Sequence, residues 1–266
     1  GEKPQQYGPI KVDIDLEMPK DNQTGKLYDN DLVLQLIDMY RNAINKYLDP
    51  QQSELSCYVL EKEGTSAINS DLIIKDGIHL FFPFLNCHFK VRHLIREFVV
   101  NQAKEQNIFD NYSKCAEDII DKSIISSNFW LMYGNSKPKS NPYKLTQVIA
   151  HDDSELDLPE TNEELVDLFS LQSKHWKASN ATTLNAELSE EDINMECEMK
   201  GINNSTTTQI DQLLPVNSEE EIRKAKFLVS LLADERAENY HDWMRVGWAL
   251  FNTDPSLIEV WIEFSK

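Results

Sequence analysis

The stretch that decides the fold is Ile10-Lys11-Val12-Asp13-Ile14-Asp15-Leu16. Apolar and polar side chains alternate along it, and this period of two is typical of a β-strand with one buried face. Because successive side chains of a strand point to opposite faces, Asp13 and Asp15 share the face that the apolar residues leave free. The sequence therefore predicts a strand that carries two carboxylates side by side.

Two carboxylates on one strand face repel each other unless a cation lies between them. Oxygen ligands of this kind suit Mg²⁺ or Mn²⁺, and a carboxylate pair of this type can serve metal-assisted phosphoryl transfer. Two solvent-facing acids on an edge strand would give the same Asp-x-Asp pattern. Asp13 and Asp15 are thus candidate metal ligands, and the rest of the chain has to decide between the two interpretations.

Helical and strand-like patterns mix over the first 150 residues. Apolar residues recur at helical spacing from Asp31 to a stop at Pro50, and again over 91–99 and through 115–120. Strands are predicted at 56–61, 72–74, 78–82, 129–133 and 143–149, with a tight turn at Asp76-Gly77 between the second and the third. Residues 1–150 are therefore predicted to form an α+β domain.

Negative charge is concentrated in the middle of the chain. The formal net charge is −19, and residues 151–221 alone carry 18 Asp and Glu against three Lys. Low hydrophobic periodicity accompanies this charge, so we expect an acidic linker or insertion at 151–217, with an acidic protein-binding surface as the alternative. Residues 218–266 show helical periodicity and predict a small all-α domain. Its last helix reaches Lys266 without a stop, so we expect the chain to be a piece of a longer protein.

Composition and missing motifs exclude several classes. No stretch approaches the roughly 18 apolar residues of a membrane span, and the start lacks the apolar core of a signal peptide, so we expect an intracellular protein without a membrane partner. The four cysteines form no C-x-x-C pair, which favours buried free thiols over a zinc ribbon or a disulfide framework. The absence of G-x-x-x-x-G-K-[ST] and G-x-G-x-x-G disfavours a P-loop ATPase and a dinucleotide-binding site.

Four further residues are candidates for chemistry. His79 lies in an apolar run after Gly77, where it is either a core histidine or a donor to a phosphate in a cleft. Asp121 follows two apolar residues and is either a third carboxylate near the first two or a helix-surface acid, with Asp118 as a competitor. Ser136 and Lys137 follow a predicted strand on a turn that suits a triphosphate or a nucleic-acid backbone, although an ordinary solvated hairpin would look the same.

In this order the motifs resemble those of the archaeo-eukaryotic primase superfamily. That family combines an Asp-x-Asp strand, a small-x-His strand and a hydrophobic-Asp motif, which stand here as Val12-Asp13-Ile14-Asp15, Gly77-Ile78-His79 and Ile120-Asp121. The segments 130–138 and 142–145 are similar to the end of the primase domain in primase-helicases of nucleocytoplasmic large DNA viruses, the poxvirus type included. Residues 236–250, with Trp261 beyond, are similar to the small domain that follows it.

The resemblance implies a fold and a function. The fold would be a primase-type mixed α/β catalytic domain followed by a small all-α domain, and the activity would be synthesis of primers on a single-stranded DNA template. Asp13, Asp15 and Asp121 would be catalytic and would hold Mg²⁺ or Mn²⁺, while His79, Ser136 and Lys137 would bind the nucleoside triphosphate. A superfamily 3 helicase would follow in the same polypeptide and form a hexamer. The protein would then act in the cytoplasm of the infected host.

Two other classes of function fit parts of the pattern. A metal-dependent glycosyltransferase also uses Asp-x-Asp, but the small-x-His strand and the lysine-proline turn do not belong to its pattern. Alternatively, the chain is a non-catalytic module that binds DNA or organises the oligomer of the helicase. Binding and incorporation of nucleotides would separate these alternatives from a primase.

Overall fold

A computed structural model describes residues 1–20, 25–68, 72–137, 140–159, 161–171, 176–202, 219–233, 235–238 and 240–265. The chain forms two compact units, Gly1–Asn203 and Asn204–Lys266. The first unit is α+β and the second is helical, as the sequence predicts.

A sheet of five strands organises the described part of the first unit. All neighbouring strands are antiparallel, in the order β1-β4-β2-β5, and β3 pairs with β4. The strands are β1 (Tyr7–Pro19), β2 (Cys57–Glu61), β3 (Ser66–Ile68), β4 (Ile73–His88) and β5 (Lys144–Ile149). The helices are α1 (Asn30–Tyr47), α2 (Phe89–Glu105), α3 (Ala116–Ile119), α4 (Ser123–Ser126), α5 (Asn162–Leu168) and α6 (Glu190–Met199), with short 3₁₀ turns at Gln52–Leu55 and Ala178–Asn180.

Strand β1 and helix α1 confirm the strongest patterns of the sequence. The alternating stretch forms β1, which extends three residues beyond it at each end. Helix α1 begins after Asp29, whose side chain accepts a hydrogen bond of 2.9 Å from the backbone N–H of Leu32. Such an N-cap satisfies one of the otherwise unpaired amides of the first helical turn.

Strand β4 corrects the predicted turn at Asp76-Gly77. Residues 73–88 form one long strand because β1 pairs with it along nearly its whole length, from Tyr7 opposite His88 to Pro19 opposite Ile73. The Asp76 carboxylate accepts hydrogen bonds from the backbone N–H of Leu27 and of Gly77, at 3.1 and 2.9 Å. An Asp-Gly pair that could make a turn is therefore accommodated inside the ladder.

Two other predicted elements are shorter or missing. The prediction of a strand at 129–133 is wrong, because in the described structure Trp130 makes only an isolated bridge with Glu2. The helical stretch through 115–120 is reduced to α3, because Ile120 leaves the helix to form a bridge with Ile14 of β1. In both segments an isolated bridge to another part of the chain replaces the regular structure that was predicted.

The main core lies on one face of the sheet, under helices α1 and α2. Its fully buried side chains come from the inward face of β1 and β4 and from both helices, and include Ile14, Leu16, Leu36, Ile37, Ile44, Ile78, Leu80, Leu94 and Ile95. Burying an aliphatic side chain of this size stabilises the fold by about 1.5–3 kcal/mol. This core fixes the register of β1 against β4.

A smaller core covers part of the opposite face of the sheet. It contains Phe81 of β4 together with Tyr58, Trp130, Val148 and Phe169. Phe169 and its neighbours Leu165 and Leu171 belong to the segment expected to be an acidic linker. The described residues of 161–171 therefore pack on the sheet, because their apolar side chains find a face that α1 and α2 leave open.

Helix α6 shows that the first unit continues well past residue 150. Its Ile193 and Cys197 are buried against the main core, and Glu196 accepts a hydrogen bond of 2.8 Å from the hydroxyl of Tyr47. The structure thus puts the end of the first unit near residue 203 and not at 150. The rest of the expected linker, 203–217, lies outside the described residues.

The second unit is built from helices α7 (Glu219–Ser230), α8 (Glu235–Glu238), α9 (Tyr240–Thr253) and α10 (Ile258–Phe264), with a 3₁₀ turn at Pro255–Leu257. Val246, Leu250 and Leu257 form its small core. Trp243 and Trp261 stack with ring centroids 4.6 Å apart. No helix in the described part of the chain has the length and apolar character needed to cross a bilayer.

Candidate active site

Asp13 and Asp15 lie on the face of β1 that points away from the main core. Their apolar neighbours Val12 and Ile14 are buried on the other side, as the alternation predicts. In the ladder with β4, Asp13 is directly opposite His79, and Asp15 is opposite Gly77. The structure therefore brings the predicted Asp-x-Asp and small-x-His motifs together as neighbours on adjacent strands.

His79 is held between aromatic rings next to Asp13. Its Nε2 lies 3.4 Å from Oδ1 of Asp13, and both side chains are largely buried. The ring of Tyr143 stacks on the imidazole with a centroid distance of 3.4 Å, and the ring of Trp130 lies 4.4 Å away. The aromatic contacts and the paired strand fix the orientation of this histidine.

Gly77 makes room for Tyr143. A Cβ atom on Gly77 would lie 2.4 Å from the Tyr143 hydroxyl oxygen and 3.1 Å from the carbonyl oxygen of Ile14. In the structure, a side chain of the protein itself uses that space.

The pKa values of the two aspartates are shifted in opposite directions. Burial opposes the ionisation of Asp13, but the adjacent His79 outweighs it and holds the pKa of this carboxyl below its ordinary value. Burial and the carboxylate of Asp13 raise the pKa of Asp15. Two close carboxylates that are both kept from water form a place of high affinity for a cation.

Cationic side chains surround this acidic pair. The charges that favour its ionised state come from Lys62, Lys75, Lys114 and Lys137. A local group of four lysines stands out in a chain whose net charge is −19. Carboxylates that bind a cation, ringed by lysines that bind anions, are the groups that a metal-bound polyphosphate requires.

The four lysines differ in their partners. Lys75 and Lys114 both form ion pairs with Glu17, the Lys114 pair at 2.9 Å. Lys62 instead lies over the ring of Tyr143, with Nζ 4.1 Å from the ring centroid. Lys137 is exposed. Two of the lysines thus share one carboxylate outside the Asp13–Asp15 pair.

Asp121 reaches the same edge through its backbone. Its N–H donates a hydrogen bond of 3.0 Å to the carbonyl of Asp13, next to the bridge between Ile14 and Ile120. The buried Arg96 fixes this turn, because its Nε donates to the carbonyl of Ile120 at 2.9 Å. The competitor Asp118 instead accepts a contact from the thiol of Cys115 and is exposed.

The carboxylate of Asp121, however, is engaged by Ser123. It accepts hydrogen bonds from the backbone N–H of Ser123 at 2.8 Å and from its hydroxyl at 2.6 Å. Among the described residues, no group of three or more His, Cys, Asp or Glu has an arrangement that could hold a metal ion. The predicted set of three carboxylates is therefore not assembled in this structure.

The Asp13–Asp15 pair by itself fits a hard divalent cation. Both are oxygen ligands on one strand face, and Oδ1 of Asp13 is buried without a hydrogen-bond partner in the described structure. A buried carboxylate oxygen that lacks a donor is costly unless a cation satisfies it. Asp121 does not fit the cation while Ser123 holds its carboxylate.

The predicted turn residues contribute unequally. The charge of Lys137 acts on Asp13, as expected of a residue near the site. Ser136 is exposed, and the described contacts give it no link to the carboxylates. Pro138, which completes the lysine-proline turn, lies outside the described residues.

Sequence reasoning missed the remaining members of the site. Lys75 could have been found, because it lies four residues before His79 on the same strand face. Tyr143 was noticed only as part of a segment, and its contact with Gly77 depends on the packing of β5 beside β2. Lys62 and Lys114 have no local sequence signal.

Comparisons with known proteins agree with this arrangement. Residues 1–149 match the family described as the C962R protein N-terminal AEP domain, where AEP denotes archaeo-eukaryotic primase. Residues 225–266 match the family Primase C terminal 2, or PriCT-2. The first match lies within the α+β unit and ends at β5, and the second lies within the helical unit.

Similar viral proteins carry provisional helicase names. The chain is 28% identical to L207/L206 of Acanthamoeba polyphaga mimivirus, over 98% of the chain and 30% of that protein. It is 27% identical to 184R of Invertebrate iridescent virus 6, over 100% of the chain and 31% of that protein. It is also 26% identical to 121R of Invertebrate iridescent virus 3, over 94% and 29%. The chain thus spans about a third of the length of these relatives.

Proposed function

The chain belongs to the family of archaeo-eukaryotic primase domains that C962R proteins carry at their N-terminus, and on this premise we propose that it is the primase part of a viral primase-helicase. Its first unit synthesises short primers on single-stranded DNA. The reaction is nucleotidyl transfer from nucleoside triphosphates and depends on Mg²⁺ or Mn²⁺.

One observation supports this proposal more than any other. The acidic pair Asp13–Asp15 lies beside His79 and is surrounded by four lysines in an otherwise acidic chain. A glycosyltransferase needs the carboxylates for a nucleotide diphosphate, but the family match and the paired histidine strand favour nucleotidyl transfer. The site thus offers ligands for a cation and for a polyphosphate at the same place.

Each residue has a role in the proposal. Asp13 and Asp15 hold the cation, and Asp121 joins them as the third carboxylate once Ser123 releases it. When bound, one such cation would lower the pKa of the attacking 3′-hydroxyl, and a second would neutralise the charge of the pyrophosphate leaving group. His79 donates a hydrogen bond to the triphosphate, and Lys137 and Ser136 add a charge and a further hydrogen bond.

The remaining parts of the polypeptide extend the proposal. The second unit holds the template or the initiating nucleotide. Because the relatives are about three times as long and carry helicase names, a superfamily 3 helicase follows this chain and assembles it into a hexamer. The protein acts in the cytoplasm of the infected host.

Primer synthesis tests the proposed function directly. Labelled nucleoside or deoxynucleoside triphosphates are incubated with single-stranded DNA and Mg²⁺ or Mn²⁺, using this chain and the full-length protein. We expect metal-dependent products that disappear in the double variant Asp13→Asn/Asp15→Asn. Glu63→Gln is the matched control, because Glu63 is a surface acid whose side chain is 80% exposed.

The hydrogen bonds between Asp121 and Ser123 favour one alternative, a non-catalytic module that binds DNA or organises the helicase. That function needs no set of three carboxylates. It predicts metal-independent DNA binding and no incorporation by either form of the protein. Products that persist in the double variant would instead overturn the assignment of the site.

A further inference from the structure

Lys62 occupies a distinctive position among the four lysines. It follows directly after β2, whose Glu61 pairs with Ile78, and it reaches the site face beside Tyr143. Its charge acts on both Asp13 and Asp15. If the two carboxylates hold a metal ion that carries a polyphosphate, the amino group of Lys62 is therefore close to that polyphosphate as well.

Lys62 is partnered differently from the lysines on the other side of the pair. Lys75 and Lys114 share an ion pair with the single carboxylate of Glu17. In the described part of the chain, no carboxylate lies within ion-pair distance of the amino group of Lys62, which rests on an aromatic ring. A cation–π contact positions a lysine at an exposed site for only about 0.5–1 kcal/mol and leaves its charge available to an anion.

Tyr143 connects Lys62 to the histidine of the site. The same ring stacks on His79 at 3.4 Å and carries Lys62 at 4.1 Å. Its hydroxyl lies over Gly77, where no side chain could be accommodated. The aromatic ring therefore contacts both a hydrogen-bond donor and a positive charge, which are the two kinds of group that bind phosphates.

We infer that Lys62 binds the phosphates of the nucleotide substrate and that Tyr143 is the positioning residue that holds Lys62 and His79 in line for them. This inference rests on the proposed function, since it takes a nucleoside triphosphate as the substrate. It adds the residue that follows β2 to a site otherwise built from β1, β4 and the turns after α3 and before β5.

Calorimetric titration of dATP and dAMP in the presence of Ca²⁺ tests the role of Lys62 apart from catalysis. Because loss of a charge-assisted hydrogen bond costs a factor of about ten or more, Lys62→Gln is expected to weaken dATP binding about tenfold. The affinity of Lys62→Gln for dAMP, which lacks the terminal phosphates, is expected to change less than about twofold. Lys104→Gln is the charge-matched control, because Lys104 pairs with Glu117 on α2 and α3.

The outcomes separate the inference from the proposed function. A selective loss of dATP affinity supports the role of Lys62 even if no primers are made, in which case the proposed function alone fails. Unchanged dATP binding by Lys62→Gln overturns the inference while primer synthesis stands. Equal losses for dATP and dAMP, or no dATP binding by the unmodified chain, also overturn it.

Two variants test whether Tyr143 acts through Lys62. Tyr143→Phe keeps the ring, and its affinity for dATP is expected to lie within about twofold of that of the unmodified chain. Tyr143→Leu removes the ring, and its affinity for dATP is expected to fall several-fold. In the double variant with Lys62→Gln, the loss caused by Tyr143→Leu should shrink, because the lysine it positions is gone. Fully additive losses would reduce Tyr143 to a structural role and overturn this part of the inference. Circular dichroism checks that each variant is folded.

Discussion

Asp13 and His79 face each other across the antiparallel pair of β1 and β4, with Oδ1 and Nε2 3.4 Å apart. The imidazole lowers the pKa of a carboxyl that burial alone would raise. The Asp-x-Asp motif and the small-x-His motif therefore form one electrostatic unit. It keeps Asp13 ionised in a position where most carboxylates would take up a proton.

Removing the carboxylates should abolish the chemistry and spare the fold. Asn has nearly the shape of Asp but lacks the charge, so Asp13→Asn or Asp15→Asn is expected to reduce primer synthesis by about 10²–10³-fold or more. The free energy of unfolding should change by only about 1 kcal/mol, because relief of the repulsion between the carboxylates offsets the lost pair with His79. Urea unfolding and a primer assay measure the two effects. Full activity of Asp13→Asn would contradict the site.

A methyl group on Gly77 should displace Tyr143. The added Cβ would lie 2.4 Å from the Tyr143 hydroxyl, so Gly77→Ala is expected to destabilise the first unit by about 1–3 kcal/mol and to reduce activity. Tyr143→Phe removes the obstructing oxygen. Gly77→Ala should therefore cost less in that background, by about 0.5 kcal/mol or more. Equal costs in both backgrounds would show that the Ile14 carbonyl, at 3.1 Å, is the limiting contact.

The sequence contained enough information for the motifs but not for their surroundings. The period of two in β1 and the capped helix α1 are local patterns, and both were predicted with the correct faces. Asp13 and Asp15 inherit their positions from the first of these patterns, and His79 lies in the strand predicted at 78–82. Lys62 and Lys114 reach the site through loops that no local pattern determines, so only the folded chain shows the ring of lysines.

The wrong predictions share a physical cause. Asp76-Gly77 has turn chemistry, but pairing with β1 at 12 positions outweighs it. The acidic segment looked like a linker because charge dominates its composition. Its few apolar residues, such as Phe169 and Ile193, nevertheless bury against faces of the first unit that would otherwise be exposed. Tertiary packing decided both cases, and tertiary packing is the information that a single sequence lacks.

Two partly buried histidines should make the first unit sensitive to acid. Burial, reinforced by neighbouring cations, lowers the pKa of His88 and His93 to about 4. Each is neutral when folded but takes up a proton near pH 6.5 when unfolded, so its contribution to stability is present above pH 6.5 and is lost as the pH falls towards 4. The free energy of unfolding should fall by about 1 kcal/mol per histidine between pH 7 and pH 5, a figure reduced for partial solvent exposure.

Replacing one of these histidines tests that sign. His93→Gln keeps a polar group near the hydroxyl of Ser126, which lies 3.2 Å from the imidazole Nε2. This variant should lose less stability on acidification than the unmodified chain. Urea unfolding at pH 7, 6 and 5 gives the slope of the unfolding free energy against pH for the variant and for the unmodified chain. Parallel slopes would assign the acid sensitivity to other groups.

Asp121 can be a metal ligand or a structural cap, and its contact with Ser123 distinguishes the two. Ser123 donates two hydrogen bonds to this carboxylate, one from its backbone and one from its hydroxyl. Ser123→Ala removes only the second bond and frees one oxygen. If Asp121 binds the cation, Ser123→Ala should lower the Mn²⁺ concentration needed for half-maximal primer synthesis, and Asp121→Asn should reduce synthesis by about 10²-fold or more.

If Asp121 is a cap, Asp121→Asn should remain active, because an amide oxygen can still accept from the Ser123 backbone. Ser123→Ala should then cost only about 1 kcal/mol of stability. An active Asp121→Asn with an unchanged Mn²⁺ requirement would therefore restrict the cation site to Asp13 and Asp15.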